Sequence, residues 1–342
     1  MSRVLPLFLF LVACGYTATA ARSAPQLTPS GCIVISSNYQ VVQNYSISCA
    51  GDAITCNNYY GVTIHNNAIR AGGNGINANA CNNLSITNNY VESTSAPPSG
   101  SYTYGVHIAV RLINSTGPII TNLATYDMRG VYLQNSPEAR ISSFACTNPR
   151  SDPDNYGTCM AFYNSGNFSL DSFYFYANLS IATTGDNINI YGSSGLRNTI
   201  SNGLIDGNTQ NIGNGIEVQN DGSGNPSFAA ISNVDIIHWC NGAIGLNNTT
   251  NASVVNVRVG YSTKPCADGR NPSSNGTPFQ TYNYDATPNT TGTSYVHVGY
   301  AQIAGTGPLI WNLTTIKTND ITNLGSFTPR SPVVPVVPSP GS

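Results

Sequence analysis

Charge is scarce in this chain. Only 8% of its 342 residues are Asp, Glu, Lys or Arg, where an average globular protein has about a quarter. Lys264 and Lys317 are its only lysines, and the formal net charge is −2. That balance gives no basic footprint for a nucleic acid partner. Long hydrophobic runs are missing as well: the apolar stretch from Val4 to Val12 is too short to span a bilayer, so no permanent transmembrane segment is expected. No C-x-x-C pair occurs, which removes the usual zinc frameworks. What remains is 40% apolar residues, enough for a sizeable core, together with an unusual load of asparagine, serine and threonine.

The ends read as processed and unstructured. Arg3, the apolar run and the small-residue site Ala18-Thr19-Ala20 form a signal peptide over residues 1–20. The alternative is a lipoprotein-type signal that leaves the chain anchored through Cys14. Both readings place the protein outside the cytoplasm, secreted or extracellular. Beyond Cys14 eight cysteines remain, an even number that suggests disulfides in an exported chain. Sequential pairing is expected, such as Cys146 with Cys159 and Cys240 with Cys266. Eleven N-x-S/T sequons make the chain a glycoprotein candidate, although its composition alone would give most of them. The C-terminal "TPRSPVVPVVPSPGS" is proline-rich, so residues 326–342 are expected to be a disordered tail.

Between the ends lies a repeat. The segments "VTIHNNAI", "LSITNNYV", "PIITNLAT", "ARISSFAC", "FSLDSFYF", "NTISNGLI", "AAISNVDI" and "SVVNVRV" align on Ile64, Ile86, Ile120, Ile141, Leu170, Ile200, Ile231 and Val254, at intervals of 21 to 34 residues. A second family, including "DAITCNN", "NGINANA", "YGVHIAV", "RGVYLQN" and "NGIEVQN", falls between them. Both alternate apolar and polar positions with the strand period, and neither shows helical spacing. Repeats of this length built from short strands predict a solenoid in which like positions stack into columns. One such column is Asn66, Asn88, Asn122, Ser143, Ser172, Asn202, Asn233 and Asn256. It is expected to be an inward amide ladder at a bend, which would account for much of the asparagine.

This pattern, over roughly residues 30 to 265, resembles the right-handed parallel β-helix of the pectin-lyase-like superfamily. The resemblance implies an all-β, single-stranded right-handed parallel β-helix of roughly 8–10 coils. It would occupy residues 24–325, with a C-terminal cap from about 276. The scaffold hosts many activities, so function must come from the outward columns.

Aligning the second family gives the outward column Thr55, Asn77, His107, Tyr132, Ala161, Asn189, Glu217. Two residues on comes Asn57, Asn79, Ala109, Gln134, Tyr163, Tyr191, Gln219. Tyrosine combines a flat apolar ring with a hydroxyl, which suits sugars. Tyr163, Tyr191, Asn189, Gln134 and Glu217 are therefore the candidate substrate-binding residues. His107, Tyr132, Arg111 and Arg129 are the candidate catalytic set, because β-elimination from a uronate needs proton exchange and a cation to offset developing charge. The bland alternative is a surface histidine beside a surface tyrosine. Hydrolysis would need two close carboxyl groups, and Asp186 and Glu217 are expected to lie too far apart for it. "TGDNINI" is similar to the paired-aspartate motif of polygalacturonases, but Asn187 stands where the second aspartate belongs. No acidic cluster for calcium stands out, so no cofactor or metal is expected. Two functions stay open: a monomeric exported protein that binds, and cleaves by elimination, an extracellular polysaccharide, or a non-catalytic cell-surface or wall-associated adhesive solenoid. A groove walled by the loops at 93–104 and 147–158 would favour the first.

Overall fold

A computed structural model describes residues 26–94, 107–149, 157–177, 185–193, 197–208, 213–219, 228–239, 242–247, 249, 252–261, 266, 279–282, 294–301, 310–312 and 317–338. The signal peptide with Cys14, Cys240, and most of the two loops expected to wall a groove (95–106 and 150–156) lie outside these residues.

The described strands pair in parallel throughout and belong to two long sheets. Sheet B has 11 strands and sheet A has 15. Each coil of the chain contributes one short strand to sheet B and one longer, bent strand or strand pair to sheet A, as in Arg129–Gln134 followed by Arg140–Thr147. The architecture is the expected right-handed parallel β-helix, with one more strand in sheet B than the highest coil count expected.

Register follows the apolar columns. Ile64, Ile86, Ile120, Ile141, Leu170, Ile200, Ile231 and Val254 are Cα partners from coil to coil along sheet A. All are buried, none more than 1% exposed. In sheet B, Ile54, Ile76, Val110, Val131, Met160, Ile188, Ile216 and Ile244 form the facing inward column. Burying such side chains contributes about 1.5–3 kcal/mol each, and a one-residue slip would turn a whole strand inside out. Disulfides join Cys32–Cys49, Cys56–Cys81 and Cys146–Cys159. Cys266 is also disulfide-bonded.

The asparagine ladder is a correction. Asn66, Asn88, Asn122, Ser143, Ser172, Asn202, Asn233 and Asn256 do form one column, but they are half-buried to exposed, not interior. Each has φ between 49° and 56°, the left-handed conformation that asparagine tolerates better than most residues. That conformation bends the sheet A strand and turns the side chain outward, where Asn122 Nδ2 donates to Asn88 Oδ1 at 2.9 Å and Asn256 Nδ2 to Asn233 Oδ1 at 2.6 Å. The interior amides are one residue further on. Asn67 and Asn89 are fully buried, and Asn89 Nδ2 donates to Ile64 O and Thr87 O, both at 2.9 Å. Asn89 Oδ1 in turn accepts from Asn67 N and Nδ2, both at 3.0 Å.

The tail also departs from expectation. Instead of leaving the domain at residue 326, the chain returns along the outer face of sheet A. Leu324 covers Gly299, where a Cβ would stand 2.4 Å from Leu324 Cδ1. Arg258 lies 4.8 Å over the ring of Phe327, and Arg330 N donates to Asp235 Oδ2 at 2.7 Å. Asp235 is fully buried and also receives Arg258 Nε at 2.8 Å and Nη2 at 2.6 Å.

Candidate functional site

The outer face of sheet B carries two columns. Thr55, Asn77, Arg111, Tyr132, Ala161, Asn189, Glu217 and Gly245 are successive Cα partners in the first. Asn57, Asn79, Ile113, Gln134, Tyr163, Tyr191, Gln219 and Asn247 form the second.

Arg111, not His107, therefore stands beside Tyr132, and Ile113 takes the place expected for Ala109. His107 precedes the strand Ile108–Ile113, is only 9% exposed, and has a φ of 56°. Its carbonyl accepts the Arg129 N–H at 3.1 Å. The expected His107–Tyr132 neighbourhood does not exist, because Ile108 pairs with Arg129 and Arg111 with Tyr132, which leaves His107 just ahead of the paired residues. Arg111 keeps its expected face, half-buried, with Nη1 donating to Asn77 Oδ1 at 3.0 Å. Arg129 opens the strand Arg129–Gln134, opposite Ile108.

What holds the second column in place is a serine ladder. Ser136, Ser165 and Ser193 are fully buried. Each hydroxyl accepts a backbone N–H from the preceding coil, at 3.0, 2.9 and 3.1 Å. Each then donates to the carbonyl two residues back, at Gln134, Tyr163 and Tyr191, over 2.9, 2.9 and 3.4 Å. The backbone under the tyrosines is thus pinned at every coil.

Tyr132, Tyr163 and Tyr191 run in file on three successive coils. Tyr132 and Tyr163 have ring centroids 5.2 Å apart at 29°, and Tyr163 and Tyr191 5.3 Å apart at 42°. All three are half-buried. Their ring faces are largely spent on one another, so the file presents edges and hydroxyls rather than the open flat faces expected from the sequence. Ala161, outward but 6% exposed, is the floor between Tyr132 and Asn189. Gln134 Oε1 accepts from the Tyr132 hydroxyl at 3.3 Å, and Gln219 Nε2 donates to Asn189 Oδ1 at 3.4 Å.

Next to this file Asn214 links the carboxylates of Asp186 and Glu217. Asp186 Oδ1 accepts Asn214 N at 2.8 Å, while Asn214 Nδ2 donates to Glu217 Oε2 at 2.7 Å. One residue thus bridges both groups, and Asn189 Nδ2 donates to the second Asp186 oxygen at 3.1 Å. Glu217 is 2% exposed, with its carboxylate folded over Gly245, where a Cβ would lie 1.8 Å from Oε2. Glu217 therefore supports the face from below rather than projecting from it. Desolvation pushes the Asp186 carboxyl up to about 6, against the opposing pull of its hydrogen bonds from Asn214 and Asn189. The sequence signal for this contact was the offset of two residues between Asp186 and Ile188, repeated at Asn214 and Ile216. The same device occurs at Asp52, which accepts Asn74 N at 2.8 Å. Among the described residues no group of three or more His, Cys, Asp or Glu converges as a metal centre.

No protein-family model matches the chain, and no curated protein does. Among solved structures, the chain is similar to the catalytic domain of a GH87 alpha-1,3-glucanase in complex with tetrasaccharides, at 15% identity and a TM-score of 0.45 over 86% of this chain. The catalytic domain of a GH87 alpha-1,3-glucanase in complex with nigerose gives 12% identity and a TM-score of 0.43 over 87% of this chain. In each case the chain spans 64% of the glucanase chain. The Azotobacter vinelandii mannuronan C-5 epimerase AlgE6 A-module gives 8% identity and a TM-score of 0.33, covering 87% of this chain and 89% of that one.

Proposed function

We propose that this protein binds an extracellular polysaccharide along the outer face of sheet B, with the polymer axis parallel to the solenoid axis. The observation that carries the reading is the Tyr132–Tyr163–Tyr191 file, one ring per coil, flanked by the neutral hydrogen-bonding side chains Gln134, Asn189 and Gln219. Ring edges and hydroxyls beside amides suit a ligand that carries C–H surface between its hydroxyls. The disulfides favour an oxidising compartment outside the cell. If the polymer is a uronate, elimination falls to Tyr132 as the proton-exchanging group, with Arg111 beside it and Arg129 at the strand start offsetting the charge.

A second reading, hydrolysis, has one specific observation in its favour. Asp186 is poised to hold a proton near pH 6, and Glu217 is joined to it through Asn214. Glycoside cleavage uses a pair of carboxyl groups, one of them with a raised pKa.

The test is product analysis with the purified mature chain on neutral and uronic polysaccharides. Unsaturated-uronate absorbance lost in Tyr132→Phe supports elimination, whereas saturated reducing ends lost in Asp186→Asn support hydrolysis. Binding without product, abolished by alanine at Tyr132, Tyr163 and Tyr191, leaves a binding protein. Polysaccharide binding that survives the triple substitution would overturn the site.

A further inference from the structure

Away from the tyrosine file, at the turn from sheet B into sheet A, lies an open cleft of about 430 Å³ lined by Glu138, Arg140, Asn167, Phe168, Ser169 and Arg197. Arg140 and Ser169 are Cα partners, Ser169 pairs on with Thr199, and Arg197 stands two residues before Thr199. The cleft therefore spans three coils, with the two arginine Cα atoms on the order of 10 Å apart. Guanidinium groups at the ends of long side chains can close on one ligand across that distance.

In a chain so poor in charge, how each arginine is used is informative. Arg70 pairs with Glu92, Arg111 with Asn77, and Arg258 and Arg330 with Asp235. Arg140 and Arg197 are different. Both are exposed, and neither guanidinium has a hydrogen-bond or ion-pair partner among the described residues. The Asn167 side-chain amide, the Ser169 hydroxyl and the Glu138 carboxylate in the same cleft likewise have none among the described residues, while the Asn167 backbone N–H donates to Asn198 Oδ1 at 2.7 Å. Glu138 is held there by a backbone φ of 64° and by its N–H, which donates to Gly166 O at 3.0 Å.

We propose that this cleft is a second binding site, for one acidic sugar unit. The two arginines take its oxyanion, and Asn167, Ser169 and Glu138 take ring hydroxyls. Guanidinium pairs match planar oxyanions and give charge-assisted hydrogen bonds. A lone carboxylate among them repels a bare polyanion but accepts well from a hydroxyl. Assigning the ligand to a sugar rests on the polysaccharide reading above, while the demand for an oxyanion does not.

The experiment is titration calorimetry at low salt with a glucuronate trisaccharide, a neutral glucose trisaccharide and inorganic sulfate. The proteins are the wild-type chain, the R140Q/R197Q double variant, E138Q and the tyrosine triple-alanine variant. The expected result is glucuronate binding that weakens roughly a hundredfold in R140Q/R197Q, about tenfold per arginine, and weakens with added salt. E138Q should lose affinity for glucuronate while sulfate binding rises. The tyrosine variant should keep this glucuronate site, so failure here and failure at the tyrosine file are read separately. Glucuronate binding unchanged by R140Q/R197Q, or absent from the wild-type chain, overturns the site. Sulfate binding as tightly as glucuronate overturns the sugar assignment and leaves a simple anion site. Both arginines are exposed, and an unchanged melting temperature verifies that the double variant is folded.

Discussion

Tyr132 and Tyr163 stack with ring centroids 5.2 Å apart although they occupy different outward columns, because Ala161 opposite Tyr132 is too small to separate them. The middle ring of the file, Tyr163, touches both of its neighbours. Tyr163→Ala should therefore weaken polysaccharide binding more than Tyr191→Ala, by roughly tenfold over the wild type if about 1–1.5 kcal/mol of aromatic contact is lost. Affinity electrophoresis on a polysaccharide gel measures it. Equal effects at both positions would mean that the rings act singly.

Asp186 should make the fold pH-dependent. Its carboxyl is raised from 3.8 to about 6 in the folded chain, so the folded state holds a proton that the unfolded state releases earlier. The favourable contribution is complete below about pH 3.8 and is lost as pH rises through about 6. Relative to the acid end, ionised Asp186 costs on the order of 3 kcal/mol at neutral pH. Asp186→Asn keeps an acceptor for Asn214 N and should raise the melting temperature at pH 7 while leaving it little changed at pH 4. A parallel shift at both pH values would assign the effect elsewhere.

Asn89 tests the interior amides. Its neighbour one coil on is Leu123, so leucine fits the column by size. Asn89→Leu should nonetheless destabilise by roughly 3 kcal/mol, because it strips partners from Asn67 N and from Ile64 O inside the core. Urea denaturation would report it, and a loss below about 1 kcal/mol would show that the buried groups find other partners.

The returning C-terminal segment should clamp the final coils. A chain ending at Asn323 loses Leu324 from Gly299, Phe327 from Arg258 and Arg330 from Asp235. Faster hydrogen exchange is expected in Ser294–Ala301 and Lys317–Asn323, with a stability loss of about 2–3 kcal/mol for the hydrogen bonds to a charged group. Exchange unchanged in those strands would make the segment a passenger.

The sequence by itself determined the solenoid. Every inward isoleucine, leucine or valine read as a column in sheet A stacks as one, since burial allows a strand no slip, and the Cys146–Cys159 bridge follows the pairing of near neighbours. The asparagine column was legible as a column but not in its direction. Its side chains point outward because a left-handed φ reverses the alternation, and composition does not display φ. The likeness of "YGVHI" to "RGVYL" puts His107 where Arg111 stands in the fold. The serine ladder contains the better signal: "INS", "QNS", "YNS" and "YGS" begin at the last residues of the four strands, and aligning Ser115, Ser136, Ser165 and Ser193 puts Arg111 beside Tyr132. Only the tertiary structure joined Asp186 to Glu217 through Asn214, opened the cleft between Arg140 and Arg197, and laid Arg330 on Asp235. Those contacts depend on how polar side chains lean across coils. The apolar columns do not constrain that choice, so the pattern that specifies the core does not encode it.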